Sequence, residues 1–191
     1  MLEGDFADYL TVSYLLKSVM ADLVIILLLS IILIPSAIAD YREEKIPNFF
    51  SMSGWVLGPL MHFFLSGAEG LLQSGLGFLL LFGLTFPLWA LKWFGAADVK
   101  LIASVGAIVS GYQALTVLLG IALAGFVISV AVMIVRGNFL SLLRSLYFRF
   151  RWGIDDTGKD SLLVDASIKQ TIPYAVPIAF GTLMTILYMH L

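Results

Sequence analysis

The sequence predicts an all-α polytopic membrane protein, a single domain of about six transmembrane helices, and three observations carry that prediction. Of its 191 residues 60% are hydrophobic and only 13% charged, and the mean hydropathy of +1.00 lies far outside the range of water-soluble domains. Uncharged windows approaching the roughly 20 residues that cross a ~30 Å hydrocarbon core recur along the chain, bounded by charges. The basic residues fall almost entirely between the same pairs of windows, the pattern expected of loops retained on the cytoplasmic side.

Residues 1–21 form an expected extracytoplasmic extension. Its start, Met1 to Asp8, is acidic where a secretory signal needs a basic region, so no cleaved signal is expected. Within it, residues 9–20 carry Tyr9, Leu10, Tyr14, Leu15, Leu16 and Val19 and read as a short interfacial helix or a disordered stretch. Leu23 to Ala39, bracketed by Asp22 and Asp40, is a first span of minimal length that Pro35 is expected to bend. Ile46–Ala68 and Gly70–Leu91 are the second and third spans, an antiparallel pair joined by a tight turn over Ser66-Gly67-Ala68-Glu69-Gly70. No charge occurs from Leu101 to Val135, yet this stretch is too long for one span, and Ser110-Gly111-Tyr112-Gln113 divides it. The result is a short fourth helix over about 96–110 and a fifth over about 113–135. A sixth runs from about 170 to 190. The basic segment 137–169 is expected as a cytoplasmic loop, with residues 139–152 as a basic amphipathic helix on anionic lipid and 153–165 exposed.

Ten of the eleven basic residues lie on one side in this topology, and only Lys17 on the other. Both termini are therefore expected outside, and Asp40 and Asp98 both fall at the cytoplasmic boundary. The net charge of −2 leaves no basic footprint for nucleic acid. The absence of cysteine excludes disulfides, thiol catalysis and cysteine-ligated zinc. Membrane lipid is the expected surrounding, and no cofactor or metal is expected.

Ionisable groups at membrane depth are costly and are usually paired or functional. If Asp40 and Asp98 face one another, like-charge repulsion makes the pair hold one proton over a useful pH range. An ionised carboxylate can then take a proton from an attacking water while its protonated partner donates to the peptide carbonyl oxygen. A cation- or proton-binding transporter is the competing class, but it predicts inverted repeats and broken midplane helices, neither of which the sequence contains. Gly95 is expected to permit a close backbone approach, or torsions that set Asp98 at a loop-to-helix junction. Pro47 and Asn48 start the second span, with Asn48 expected on the buried side near the level of Asp40. Lys100, two positions beyond Asp98, points away from it and is expected to snorkel to lipid headgroups. His62 lies roughly 21 Å from Asn48 along its helix and reads as structural. Trp55, Trp89, Trp93 and Phe94 read as packing and interface anchors, with Trp93 and Phe94 also placed to line a substrate entrance.

Asp40-Tyr41-Arg42, Ile46-Pro47-Asn48 and Gly95-Ala96-Ala97-Asp98-Val99-Lys100-Leu101 together resemble the paired signature of the type IV prepilin peptidases. Ile172-Pro173-Tyr174-Ala175-Val176-Pro177 is also similar to that family, in particular to its short Tad/Cpa-type branch. The resemblance implies an aspartic-type endopeptidase with Asp40 and Asp98 as the catalytic pair. Gly95, Asn48, Pro47 and Lys100 would be supporting or substrate-binding residues, and the partner a type IV or Flp-type prepilin cleaved at the cytoplasmic membrane face. An archaeal preflagellin peptidase is the alternative within the same chemistry. Ala97 stands where the broad pattern has its second glycine, and the short Asp40–Asn48 turn leaves no room for the zinc-binding methyltransferase insertion of the long members.

Overall fold

The computed structural model describes residues 2–43, 45–92, 94–111, 113–135 and 174–190. It has five helices: α1 (Leu2–Glu43), α2 (Asn48–Ala90), α3 (Ala96–Val109), α4 (Gln113–Val135) and α5 (Ala175–His190). There is no strand among the described residues. The expected basic segment 137–169, with its amphipathic helix and loop, lies outside them, as do Trp93 and residues 170–173.

α2 contains the expected hairpin. Its helical geometry breaks only at Gly67, with φ 66° and ψ −144°, torsions that glycine adopts without steric penalty. On one straight helix Trp55 and Phe78 would be roughly 35 Å apart, yet their rings meet edge to face at 5.1 Å. The chain therefore turns back at Gly67, giving a first arm (48–66) and a second (68–90). Down the second arm Phe78, Phe82, Phe86 and Trp89 follow one another at 5.2–5.7 Å between ring centres, at the i,i+3 and i,i+4 spacing of neighbours on a single helix face.

The first span is not a separate minimal helix. α1 continues without interruption from Leu2 through the expected interfacial segment and through Pro35 to Glu43. Hydropathy locates lipid, and the charges at Lys17 and Asp22 do not disturb helical backbone geometry. α1, α2 and α4 are long and apolar enough to cross a membrane, and α5 is a shorter apolar helix. Large apolar side chains cover the exterior, among them Leu23, Leu27, Phe64, Leu72, Leu119 and Phe126. Such a surface belongs in lipid. Ser30, Ser36, Thr85 and Thr185 return their hydroxyls to carbonyls one turn back, which keeps these four paired in apolar surroundings, whereas Ser51 Oγ and Thr182 Oγ1 are buried without a hydrogen-bond partner.

α3 is the centre of the bundle. Leu101, Ile102, Val105 and Ile108 form its part of a core completed by Leu29, Ile32 and Leu33 of α1, Leu81 of α2, Val117 and Ile121 of α4, and Ile178 and Ile186 of α5. Small residues admit it between the arms of α2. A Cβ on Gly54 would lie 2.5 Å from that of Ser104, one on Gly58 would lie 2.7 Å from the Ala107 carbonyl, and Gly77 and Gly106 meet backbone to backbone. At 14 residues α3 rises only about 21 Å, so its last carbonyls end inside apolar surroundings, where an unpaired group costs several kcal/mol. Ser74 Oγ donates to the Ala107 carbonyl at 2.6 Å and His62 Nε2–H to that of Ile108 at 2.8 Å. His62 thus has the structural role expected of it, as a cap for α3.

Candidate active site

Asp98 occupies the third position of α3. Its Oδ2 accepts the Gly95 N–H at 3.2 Å, the backward reach typical of an acidic residue in a helix's first turn. Gly95 has φ −71° and ψ 146°, ordinary extended torsions that any residue adopts. Its expected torsional freedom is therefore not what the site uses. What matters is room, because a Cβ there would lie 2.8 Å from Asp98 Oδ2.

Asp40 lies in the last turn of α1. Its Oδ2 accepts the buried Ala175 N–H at 2.9 Å. Ala175 is the first residue of α5, and the first N–H groups of a helix have no partner within it. A carboxyl group from α1 fills that position. Asp40 and Asp98 are each only 8% exposed, and they lie close enough that the charge of Asp40 acts on Asp98. Two buried acids from different helices thus lie near one another, each with one oxygen fixed by a backbone N–H.

The other expected site residues lie to one side of this pair. Asn48 is exposed, not buried, because it opens α2 at the end of the bundle. Lys100 is half-buried and donates from Nζ to Asn48 Oδ1 at 3.2 Å, so its ammonium has a protein partner in place of the expected headgroup. Trp55 Nε1–H donates to the Lys100 carbonyl at 3.1 Å, a second tie between the start of α3 and the first arm of α2. Pro47 precedes α2 with φ −59° and accepts the Phe50 N–H at 3.1 Å. Asn48 and Lys100 therefore brace the entrance to α3 while Pro47 sets the start of α2, and none of these hydrogen bonds touches the two carboxyl groups. Phe94 packs against Tyr174 with ring planes tilted by 45° and ring centres 5.5 Å apart. The sequence offered no role for Tyr174 or Ala175. A backbone N–H has no residue-type signature, although Pro173 and Pro177 do mark a helix start there.

Residues 27–132, more than half of the chain, match the type IV leader peptidase family, and the match takes in both aspartates. The chain belongs to the type IV leader peptidase family. Comparison with curated proteins and with solved structures gives no match. Membership in a family of peptidases supports a protease and leaves the transporter reading without support. α5, which supplies the N–H that holds Asp40, lies beyond the matched segment.

Proposed function

We propose that this type IV leader peptidase family member is an intramembrane aspartyl endopeptidase that removes the leader of type IV or Flp-type prepilins at the cytoplasmic face of the cell's inner membrane. Asp40 and Asp98 are its catalytic pair. The observation that carries the reading is their convergence: two buried acids, far apart in sequence and within the family-matched segment, are held at one end of the bundle by the N–H groups of Ala175 and Gly95, whose neighbours Tyr174 and Phe94 are in ring contact. With one proton between them, the ionised carboxyl takes a proton from water as its oxygen attacks the scissile carbonyl carbon. The protonated partner donates to the carbonyl oxygen, and as the tetrahedral intermediate collapses a proton passes to the departing amine. Asn48 and Lys100 support the site by bracing the start of α3, and Pro47 by setting the start of α2 that carries Asn48. The whole chain acts as one transmembrane peptidase domain of six spans, α2 contributing two, with both termini outside and residues 137–169 in the cytoplasm.

The test is processing of co-expressed prepilin by single variants that insert normally. Asp40→Asn and Asp98→Asn should each reduce cleavage by at least about 10²-fold, since asparagine can neither accept the proton of water as a carboxylate does nor donate as an acid. Substantial cleavage by either variant removes that aspartate from the mechanism. If a preflagellin is processed and prepilins are not, the substrate assignment moves to the archaeal class with the same chemistry.

A further inference from the structure

The two carboxyl groups are linked through a second route besides the space between them. Asp40 Oδ2 holds the N–H of Ala175, and the neighbouring residue, Tyr174, lays its ring on that of Phe94. Phe94 in turn precedes Gly95, whose N–H holds Asp98 Oδ2. Two pairs of consecutive residues, one entering α3 and one entering α5, therefore close a circuit from one carboxyl group to the other. The ring contact is its middle step. We propose that Phe94 and Tyr174 are positioning residues whose ring contact sets the separation of Asp40 and Asp98.

The physical reason is the tolerance of the chemistry. A water held between two acids must lie within hydrogen-bond reach of both, and displacement by about 1 Å can cost roughly 10² in rate. Each aspartate is fixed to a chain segment, Asp40 to the first turn of α5 and Asp98 to the residue before α3. Nothing in those two bonds holds the segments to each other. Aromatic rings offer a stiff, preferred geometry for doing so. The same rings also line an apolar cavity of ≈ 520 Å³ with Leu88, Ile102, Pro177 and Ile178, so direct contact with substrate is the rival account of them.

The inference rests on the protease reading, and kinetics separate the two. Purified wild-type protein and the variants Phe94→Ala, Tyr174→Ala, the double alanine variant and Tyr174→Phe are assayed on a fluorogenic peptide that spans the leader junction of a prepilin. Each alanine variant should lower kcat by about 10- to 100-fold with KM changed less than about threefold. The double variant should be no slower than the slower single one, because the rings act as a unit, and Tyr174→Phe should stay within about threefold of wild type. If the alanine variants do not fold, Phe94→Leu and Tyr174→Leu keep the volume without the ring geometry and should show the same kcat loss. A loss confined to KM, additive effects, or a Tyr174→Phe variant as slow as Tyr174→Ala overturns the proposal. Wild-type protein that leaves the peptide intact, or cleavage that survives Asp40→Asn, overturns the protease reading and the proposal with it. Aspartate-dependent cleavage indifferent to both rings overturns the positioning role alone.

Discussion

At the scale of single residues, the site depends on space as much as on charge. Gly95 keeps its place because the Asp98 carboxyl group occupies the volume that a side chain would fill. Replacing Gly95 with alanine leaves the N–H and suits torsions of −71° and 146°, so the protein should fold with an unchanged melting temperature. The carboxyl oxygen, however, must retreat by a few tenths of an ångström, which should lower kcat about tenfold. Leader-peptide cleavage measured beside a thermal melt checks both halves, and full activity would mean that the room beside Asp98 is not needed. The two aspartates were legible in the sequence because acids bounding apolar windows are conspicuous. The Lys100–Asn48 bond was not, since spacing along one helix says nothing about a residue on another. The backbone donors at Gly95 and Ala175 could not be read from residue type at all.

At the scale of elements, α3 is a short helix made possible by its neighbours. Its packing against both arms of α2 relies on glycines, and the glycines are not equivalent. A Cβ on Gly106 would strike the backbone of Gly77, whereas one on Gly83 meets nothing within 4 Å. Gly106→Ala should therefore destabilise the fold by about 1–3 kcal/mol through overpacking and shift the helix that carries Asp98. Gly83→Ala should be neutral or stabilising by up to about 1 kcal/mol, because alanine is the better helix former. Unfolding of detergent-solubilised protein by heat compares the two, and equal effects would contradict the close packing at Gly106. The breaks at Gly67 and Ser110-Gly111 were legible because glycine-containing polar turns interrupt an apolar run. The length of α1 was not, because hydropathy marks where lipid ends and is silent on where the backbone ceases to be helical.

At the scale of the whole molecule, charge and geometry point to the same end of the bundle. Arg42 and Lys45 follow Asp40 closely, Lys92 precedes Asp98, and Lys100 bridges the two groups through Asn48. Glu69 lies at the opposite end, beside the reversal at Gly67. Loops rich in lysine and arginine stay in the cytoplasm, so the end that carries the aspartates should face inward and the Gly67 turn outward. The chain contains no cysteine, which makes labelling of single introduced cysteines free of background. Ala68→Cys, at an exposed position of the turn, should react with a membrane-impermeant maleimide in intact cells. Lys45→Cys and Lys92→Cys, both exposed at the other end, should react only after the membrane is opened. Because α2 folds back on itself, Lys45 and Lys92 bracket two crossings and must report the same side, an internal check that does not depend on the charge rule. Labelling of Lys45→Cys and Lys92→Cys from opposite sides would mean that α2 does not cross twice. Labelling of both from outside, with Ala68→Cys protected, would keep the hairpin but invert it, and cleavage by this pair of aspartates would then have to take place at the outer face.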